Sequence, residues 1–99
     1  MLFEEIKFIG IDDTRTHKPN PEKPSYNVYF ELSKAPASEW SQIFEEDHLT
    51  KQATLRRVCW IDGRYIVIEC LINEIVDIIE DVKKEVAITN HKYLECLNK

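Results

Sequence analysis

Glycine is scarce in this chain of 99 residues, which contains only Gly10 and Gly63. A phosphate-cradling loop needs several glycines, because its backbone must approach the phosphate closely and adopt conformations that other residues avoid. The sequence therefore predicts no such loop, and the G-x-S-x-G and H-E-x-x-H motifs of hydrolases are missing as well. We accordingly expect a protein that is not an enzyme and that has no cofactor and no metal site.

Cysteines and long apolar runs are also few. Cys59, Cys70 and Cys96 form an odd set without C-x-x-C spacing, whereas small secreted scaffolds carry an even and denser set. The N-terminus lacks the basic and apolar regions of a signal peptide, and no apolar run approaches 18 residues. These features favour a soluble protein of the cytoplasm that does not enter a membrane.

Basic residues are outnumbered, since 13 Lys and Arg face 18 Asp and Glu and the net charge is −5. Nucleic-acid binding draws most of its affinity from Lys and Arg that neutralise phosphates, so this balance disfavours it. Apolar residues make up 43% of the chain, which suffices for one small core without disulfide or metal staples. We expect a single domain over residues 1–99.

The first half of the chain predicts two strands and a helix. Residues 4–12 and Tyr26–Leu32 have strand patterns, and in the second the side chains of Val28 and Phe30 share one side. Residues 13–25 contain three prolines and are predicted to form an extended, mobile loop. A helix beginning at Pro36 or Ser38 and ending near His48 would bury Trp40, Ile43 and Phe44.

The second half begins with the strongest local signal, the dipeptide Asp62-Gly63 between two strand-like runs at 53–61 and 64–71. This pair is typical of a two-residue type I′ hairpin turn. Such a turn predicts four cross-strand pairs: Ile61 with Arg64, Trp60 with Tyr65, Val58 with Val67, and Arg56 with Glu69.

A long helix follows over about residues 74–97, with Asn73 as its predicted N-cap. A 3.6-residue period predicts one buried stripe on this helix, which comprises Ile72, Ile75, Val76, Ile79, Val82, Val86, Tyr93, Leu94 and Leu97. The element order ββαββα predicts an α+β two-layer sandwich, with a four-stranded, mainly antiparallel sheet and both helices on one face. This order is that of a circularly permuted ferredoxin-like plait, whose second and fourth strands are central.

These patterns together predict the core of the domain. Its expected members are Phe30, Leu32, Trp40, Ile43, Phe44, Ile66, Ile68, Ile75, Ile79, Val82 and Val86.

One side of the second hairpin is the candidate binding surface. It carries Val58, Trp60, Tyr65 and Val67, flanked by Arg56, and Tyr29 on the neighbouring strand would face the same way. If the helices cover the other side, this aromatic patch is open to a partner, and monomers seldom leave such patches in water. If the faces are reversed, Trp60 belongs to the core.

Two functions follow from the open face. The first is a protein-interaction module that forms a homodimer, or binds another protein, through the sheet face, the long helix, or both. The alternative is a small-ligand domain that holds an aromatic or anionic molecule between that face and the proline-rich loop. Single-stranded nucleic acid would stack on the same aromatic side chains, but the net charge and Glu69 disfavour it.

Overall fold

The computed structural model describes residues 4–51 and 59–98, and for residues 47–51 it describes the backbone alone. The elements are β1 (Phe8–Ile11), β2 (Tyr26–Leu32), α1 (Ser38–Lys51), β3 (Cys59–Asp62), β4 (Tyr65–Cys70) and α2 (Ile75–Leu97), with a short 3₁₀ turn at Ile72–Glu74 before α2. The predicted order ββαββα and the α+β class are confirmed. The predicted site residues Arg56 and Val58 lie outside the described residues.

The four strands form one sheet in the order β1-β2-β4-β3, and every neighbouring pair is antiparallel. The second and fourth strands are central, as predicted. A bulge at Ile9 interrupts the pairing of β1 with β2, because Phe8 lies opposite Leu32 while Gly10 lies opposite Glu31.

Both helices pack on the same face of the sheet. The buried core joins alternate residues of β2 and β4 to one side of each helix, and its members are Ile6, Val28, Phe30, Leu32, Trp40, Phe44, Ile66, Ile68, Cys70, Ile78, Val82 and Val86. Trp40 and Phe44 stack with ring centroids 5.7 Å apart. Of the predicted core, Ile43, Ile75 and Ile79 are only half-buried.

Asn90 of α2 connects three parts of the chain through its side-chain amide. Its Oδ1 accepts hydrogen bonds from the Ile6 amide at 3.1 Å and from Trp40 Nε1 at 2.9 Å. Its Nδ2 donates to the Ile6 carbonyl at 2.8 Å. The amide thus pairs with Ile6 much as a neighbouring strand would, and it satisfies the indole N–H of the largest core residue.

The hairpin register differs from the prediction by two residues. Asp62 pairs with Tyr65, Ile61 with Ile66 and Trp60 with Val67, so the turn residues are Gly63 and Arg64. Gly63 has φ +59°, which suits the first turn position. The observed register pairs Ile61 with Ile66, whereas the predicted one would place Ile61 opposite Arg64.

The buried face of α2 is rotated relative to the predicted stripe. Ile78, Glu85, Thr89 and Asn90 are buried with Val82 and Val86, whereas the predicted stripe members Ile72, Val76, Leu94 and Leu97 are exposed. At about 100° per residue Asn90 lies within the predicted stripe, whereas the buried Glu85 and Thr89 lie outside it, and the apolar period contains no information about burial of these polar residues. Asn73 lies inside the 3₁₀ turn and does not cap α2; instead, Glu74 Oε1 accepts a hydrogen bond from the Leu71 amide at 2.9 Å.

The proline-rich segment is not extended throughout. The Lys23 amide donates to the Asn20 carbonyl at 3.0 Å, and the Glu22 amide donates to Asn20 Oδ1 at 3.0 Å. These bonds close a turn with Pro21 at its second position, where the fixed φ of proline is favourable. The mobility of residues 13–25 stays a prediction.

We expect Asn90→Ala to lower the free energy of unfolding by about 3 kcal/mol, because the Ile6 backbone and the Trp40 indole lose buried partners. Urea unfolding followed by circular dichroism measures the loss. Asn73→Ala is the matched control, since Asn73 is exposed, and it should change stability by less than about 0.5 kcal/mol. A loss below about 1 kcal/mol in Asn90→Ala would contradict the connecting role of this amide.

Candidate functional site

The sheet face opposite the helices carries a row of apolar side chains across three strands. Val67 of β4 lies between Tyr29 of β2 and Trp60 of β3, which are its register partners. Val67 is fully buried, whereas both aromatic residues are half-buried, and none of the three belongs to the helix-packed core. The two-residue change in register leaves each side chain on its predicted face, because side chains alternate with a period of two.

Tyr65 lies two residues before Val67 on the same face of β4. Aromatic and cationic groups surround its ring. Its ring meets that of Tyr29 edge-on, with centroids 5.7 Å apart. The Arg15 guanidinium lies 4.9 Å from the centroid of the Tyr65 ring, and that of Arg64 lies 6.0 Å away. Cations near an aromatic ring are attracted by its quadrupole, so these arginines stabilise and also cover the ring.

Asp12 holds the start of the long loop against this face. Its Oδ2 accepts a hydrogen bond from the Tyr65 hydroxyl at 3.2 Å, and its Oδ1 accepts one from the Thr14 amide at 3.0 Å. Its backbone carbonyl accepts a bond from the Thr16 hydroxyl, whose oxygen in turn accepts one from the Tyr29 amide. His17 then pairs with Asn27 through two backbone hydrogen bonds. The loop base is therefore bound to β2.

Ion pairs balance much of the charge around Tyr65. Arg64 contacts Glu31 at 3.1 Å, and Arg15 contacts Asp12 at 3.6 Å. The Tyr65 hydroxyl, followed by the charge of Asp12, raises the pKa of Arg15 above its ordinary value. A ligand on this face would meet aromatic rings with paired charges at their rim, which suits polar aromatic molecules better than polyanions.

The structure brings together four of the six predicted site residues, namely Tyr29, Trp60, Tyr65 and Val67. The contributions of Asp12, Arg15 and Arg64 were not predicted. An Asp-Asp-Thr run after a strand, as at residues 12–14, is typical of a capped loop, but nothing in it indicates that Asp12 also binds Tyr65. Arg64 was assigned to a strand because the turn was placed one residue early.

The most exposed apolar side chains of the described residues lie elsewhere, mainly along one edge of α2. Val76 is 75% exposed and Ile72 is 54% exposed near the start of the helix, while Leu94 and Leu97 are 42% and 39% exposed near its end. At about 100° per residue, Val76, Leu94 and Leu97 fall within roughly 60° of one another around α2, and Ile72 lies in the 3₁₀ turn just before the helix. We call this set, together with Ala87 between its two ends, the α2 edge.

A groove of about 340 Å³ lies beside the middle of this edge. Its walls are residues 5–8 of the N-terminal segment on one side and Lys83, Val86, Ala87 and Asn90 of α2 on the other. The groove separates the exposed apolar residues at the two ends of the helix. None of its lining residues is among the contacts of Tyr65 described above, so the domain has two separate candidate surfaces.

The part of the chain that the structure describes contains no group of three His, Cys, Asp or Glu side chains able to hold a metal ion. None of its helices combines the length and the apolar character needed to cross a membrane. No protein-family model matches the chain, and comparisons with curated proteins and with solved structures find no similar protein.

The three cysteines differ in burial. Burial, followed by the nearby charge of Glu45, raises the pKa of the Cys59 thiol to about 12 from an ordinary value of 9.0. Cys70 is buried and Cys96 is exposed. Because the thiolate is the nucleophile, a thiol with so high a pKa is inert near neutral pH.

At pH 8 we expect one fast-reacting thiol per native chain, Cys96, and three after unfolding, as counted with a chromogenic disulfide reagent. Cys96→Ser should remove the fast phase. The raised pKa of Cys59 also favours the folded state below about pH 9, and that contribution is lost as pH rises toward 12. Fast labelling of Cys59 at pH 8 in the folded protein would contradict this assignment.

Proposed function

We propose that this protein is a protein-interaction module that self-associates through the α2 edge. The observation that carries the proposal is the 75% exposure of Val76 on α2, with Ile72 54% exposed in the 3₁₀ turn just before the helix. Pairing of identical surfaces about a two-fold axis is the commonest way in which small domains bury such residues. As proposed here, the module acts in the cytoplasm without catalytic activity.

The α2 edge is favoured over the sheet face because the edge carries large exposed apolar side chains, whereas the Tyr29–Val67–Trp60 row carries none. The exposed large apolar residues of the described chain are Ile9, Leu71, Ile72, Val76, Leu94 and Leu97, and none of them lies on the Tyr29–Val67–Trp60 row. Arginine and loop contacts already cover part of the sheet face. A partner would therefore remove more apolar surface from water at the α2 edge.

A second candidate function is the binding of a small aromatic ligand on the sheet face. The edge-on contact of Tyr29 with Tyr65, beside the half-buried Trp60, supports it. Aromatic surfaces with a few convergent polar groups are typical of ligand sites. Binding there would displace Arg15 from the Tyr65 ring.

We also propose that the fold is a circularly permuted ferredoxin-like plait. Read from β4 through α2, then β1, β2, α1 and β3, the elements follow the order βαββαβ. The antiparallel order β1-β2-β4-β3 and the placement of both helices on one face support this topology.

We expect Val76→Glu to abolish self-association, because the introduced carboxylate would lose its hydration in the interface. Sedimentation equilibrium from about 10 µM to 0.5 mM should show a dimer for the wild type and a dissociation constant at least about tenfold higher for the variant. Ile9→Glu is the matched control, since Ile9 is an exposed apolar residue on a different element, and it should leave the dimer intact.

Trp60→Arg tests the competing surface in the same assay. If the helix edge is the interface, this variant should associate as the wild type does. Dissociation by Trp60→Arg with no effect of Val76→Glu would assign the interface to the sheet face. A wild type that stays monomeric at 0.5 mM would overturn self-association, and the small-ligand function would then be preferred.

A further inference from the structure

The ring of Tyr65 already holds a cation of the same chain. The Arg15 guanidinium lies 4.9 Å from the ring centroid, within the distance at which an aromatic ring attracts a cation. The Tyr65 hydroxyl, followed by negative charges that include Asp12 and Asp62, raises the pKa of Arg15 above its ordinary value. This position on the sheet face therefore stabilises a planar, delocalised cation.

The charge of the whole sheet face favours a cation as well. Side chains alternate along each strand, so the acids on the face of Tyr65, together with the carboxylate that binds its hydroxyl, are Asp12, Glu31, Asp62 and Glu69. The described basic groups near the rings of this face are Arg15, Arg64 and His17. The four acids outnumber these groups even when His17 is counted as charged. Asp62 is exposed and has no ion pair with another described residue.

Only the side chain of Arg15 occupies the ring face, and it is weakly held. It is 56% exposed, and its ion pair with Asp12 measures 3.6 Å. The Arg15 backbone amide donates separately to Asp12 Oδ1 at 3.2 Å, so the loop keeps its place when the side chain rotates away. Exposed ion pairs contribute little to stability, so a ligand that carries the same charge can displace this guanidinium.

The neighbouring row supplies a surface for a planar ring. Tyr29 meets the Tyr65 ring edge-on with centroids 5.7 Å apart, and the half-buried Trp60 lies beside Val67. Successive residues on one side of a strand lie about 7 Å apart, a distance that a single ring with a cationic substituent can span. Aromatic rings attract each other in offset or edge-on arrangements, so Trp60 and Tyr29 are suited to hold the ring of a ligand.

Resting on the small-ligand function proposed above for the sheet face, we propose that the ligand is a small aromatic cation with a planar amidinium or guanidinium group. Its cation takes the place of the Arg15 guanidinium on the Tyr65 ring, beside Asp12, and its aromatic part lies against Trp60. Neutral and anionic molecules of the same shape lack the attraction to the ring and to the acids. Charge is therefore the property by which this site selects its ligand.

Three probes of one shape test the charge preference, namely benzamidinium, benzamide and benzoate. In two-dimensional NMR titrations of the isotope-labelled chain, benzamidinium should shift the indole N–H signal of Trp60 with a dissociation constant in the millimolar range. Benzamide should bind at least about fivefold more weakly, and benzoate more weakly still. The indole of the fully buried Trp40 is the internal control, and its signal should not move.

Arg15→Gln tests the displacement. Benzamidinium should bind this variant about fivefold more tightly than the wild type, because the competing cation is gone. Lys18→Gln is the matched control, since it removes the same charge from the same loop, while Lys18 lies over Tyr26, which packs against the helix-covered core. It should change the dissociation constant by less than about twofold. Weaker binding to Arg15→Gln would show that Arg15 holds the ligand, and would overturn the inference.

Two substitutions of Tyr65 test the ring itself. Tyr65→Leu should weaken benzamidinium binding at least about fivefold, whereas Tyr65→Phe, which keeps the ring, should bind within about twofold of the wild type. The dispersion of the same spectra verifies that each variant folds, and if Tyr65→Leu does not fold, the Arg15→Gln result decides. Equal losses in both folded variants would assign the effect to the hydrogen bond with Asp12 and contradict a cation on the ring.

The outcomes separate this inference from the small-ligand function. If benzamide shifts the Trp60 signal with the affinity of benzamidinium, the cation preference is refuted and the small-ligand function stands. If no probe shifts that signal at about 10 mM, both are refuted. Self-association through the α2 edge is tested by sedimentation and depends on neither result.

Discussion

The structure depends on the hydrogen bonds of one amide, that of Asn90. It holds the N-terminal segment at Ile6 and the indole of Trp40 at the same point on α2, and so joins an end of the sheet layer to both helices. Burying an amide raises the free energy of the folded state unless the hydrogen bonds of the amide are made. The folded chain therefore favours the one position of α2 in which these bonds form. The rotation of α2 about its axis, which turns Glu85 and Thr89 inward, is a separate feature, because Asn90 lies on the same side of the helix as Leu94.

That rotation has a consequence for the surface. With Ile78, Glu85 and Thr89 turned inward, the helix cannot also bury Val76 and Leu94 on its opposite side, and these apolar residues remain exposed along one edge. The rotation of α2 thus places polar groups in the core and also leaves apolar groups on the surface. In the proposed interface, a partner would cover these exposed apolar residues and so offset the free-energy cost of their exposure to water.

The predicted face of Trp60 and Val67 is correct although the predicted hairpin register is wrong. The predicted turn Asp62-Gly63 lies one residue before the observed turn Gly63-Arg64, and the cross-strand pairs of the described residues 59–62 differ from the prediction. Because pairing moved by two residues, Trp60 and Val67 kept their predicted face and stayed together. The contacts of Tyr65 with Asp12 and Arg15 were beyond prediction, since they join residues fifty or more positions apart.

The sequence by itself determined the element order, the central position of β2 and β4, and the division of the sheet into an apolar face and an aromatic one. These features follow from local periodicity and from turn residues, which act over a few positions. The tertiary structure alone decided which side of α2 is buried, where the loop base binds, and which apolar residues face solvent. Those outcomes depend on polar partners distant in the chain, such as Asn90 with Ile6, and hydrophobic periodicity does not encode such pairs.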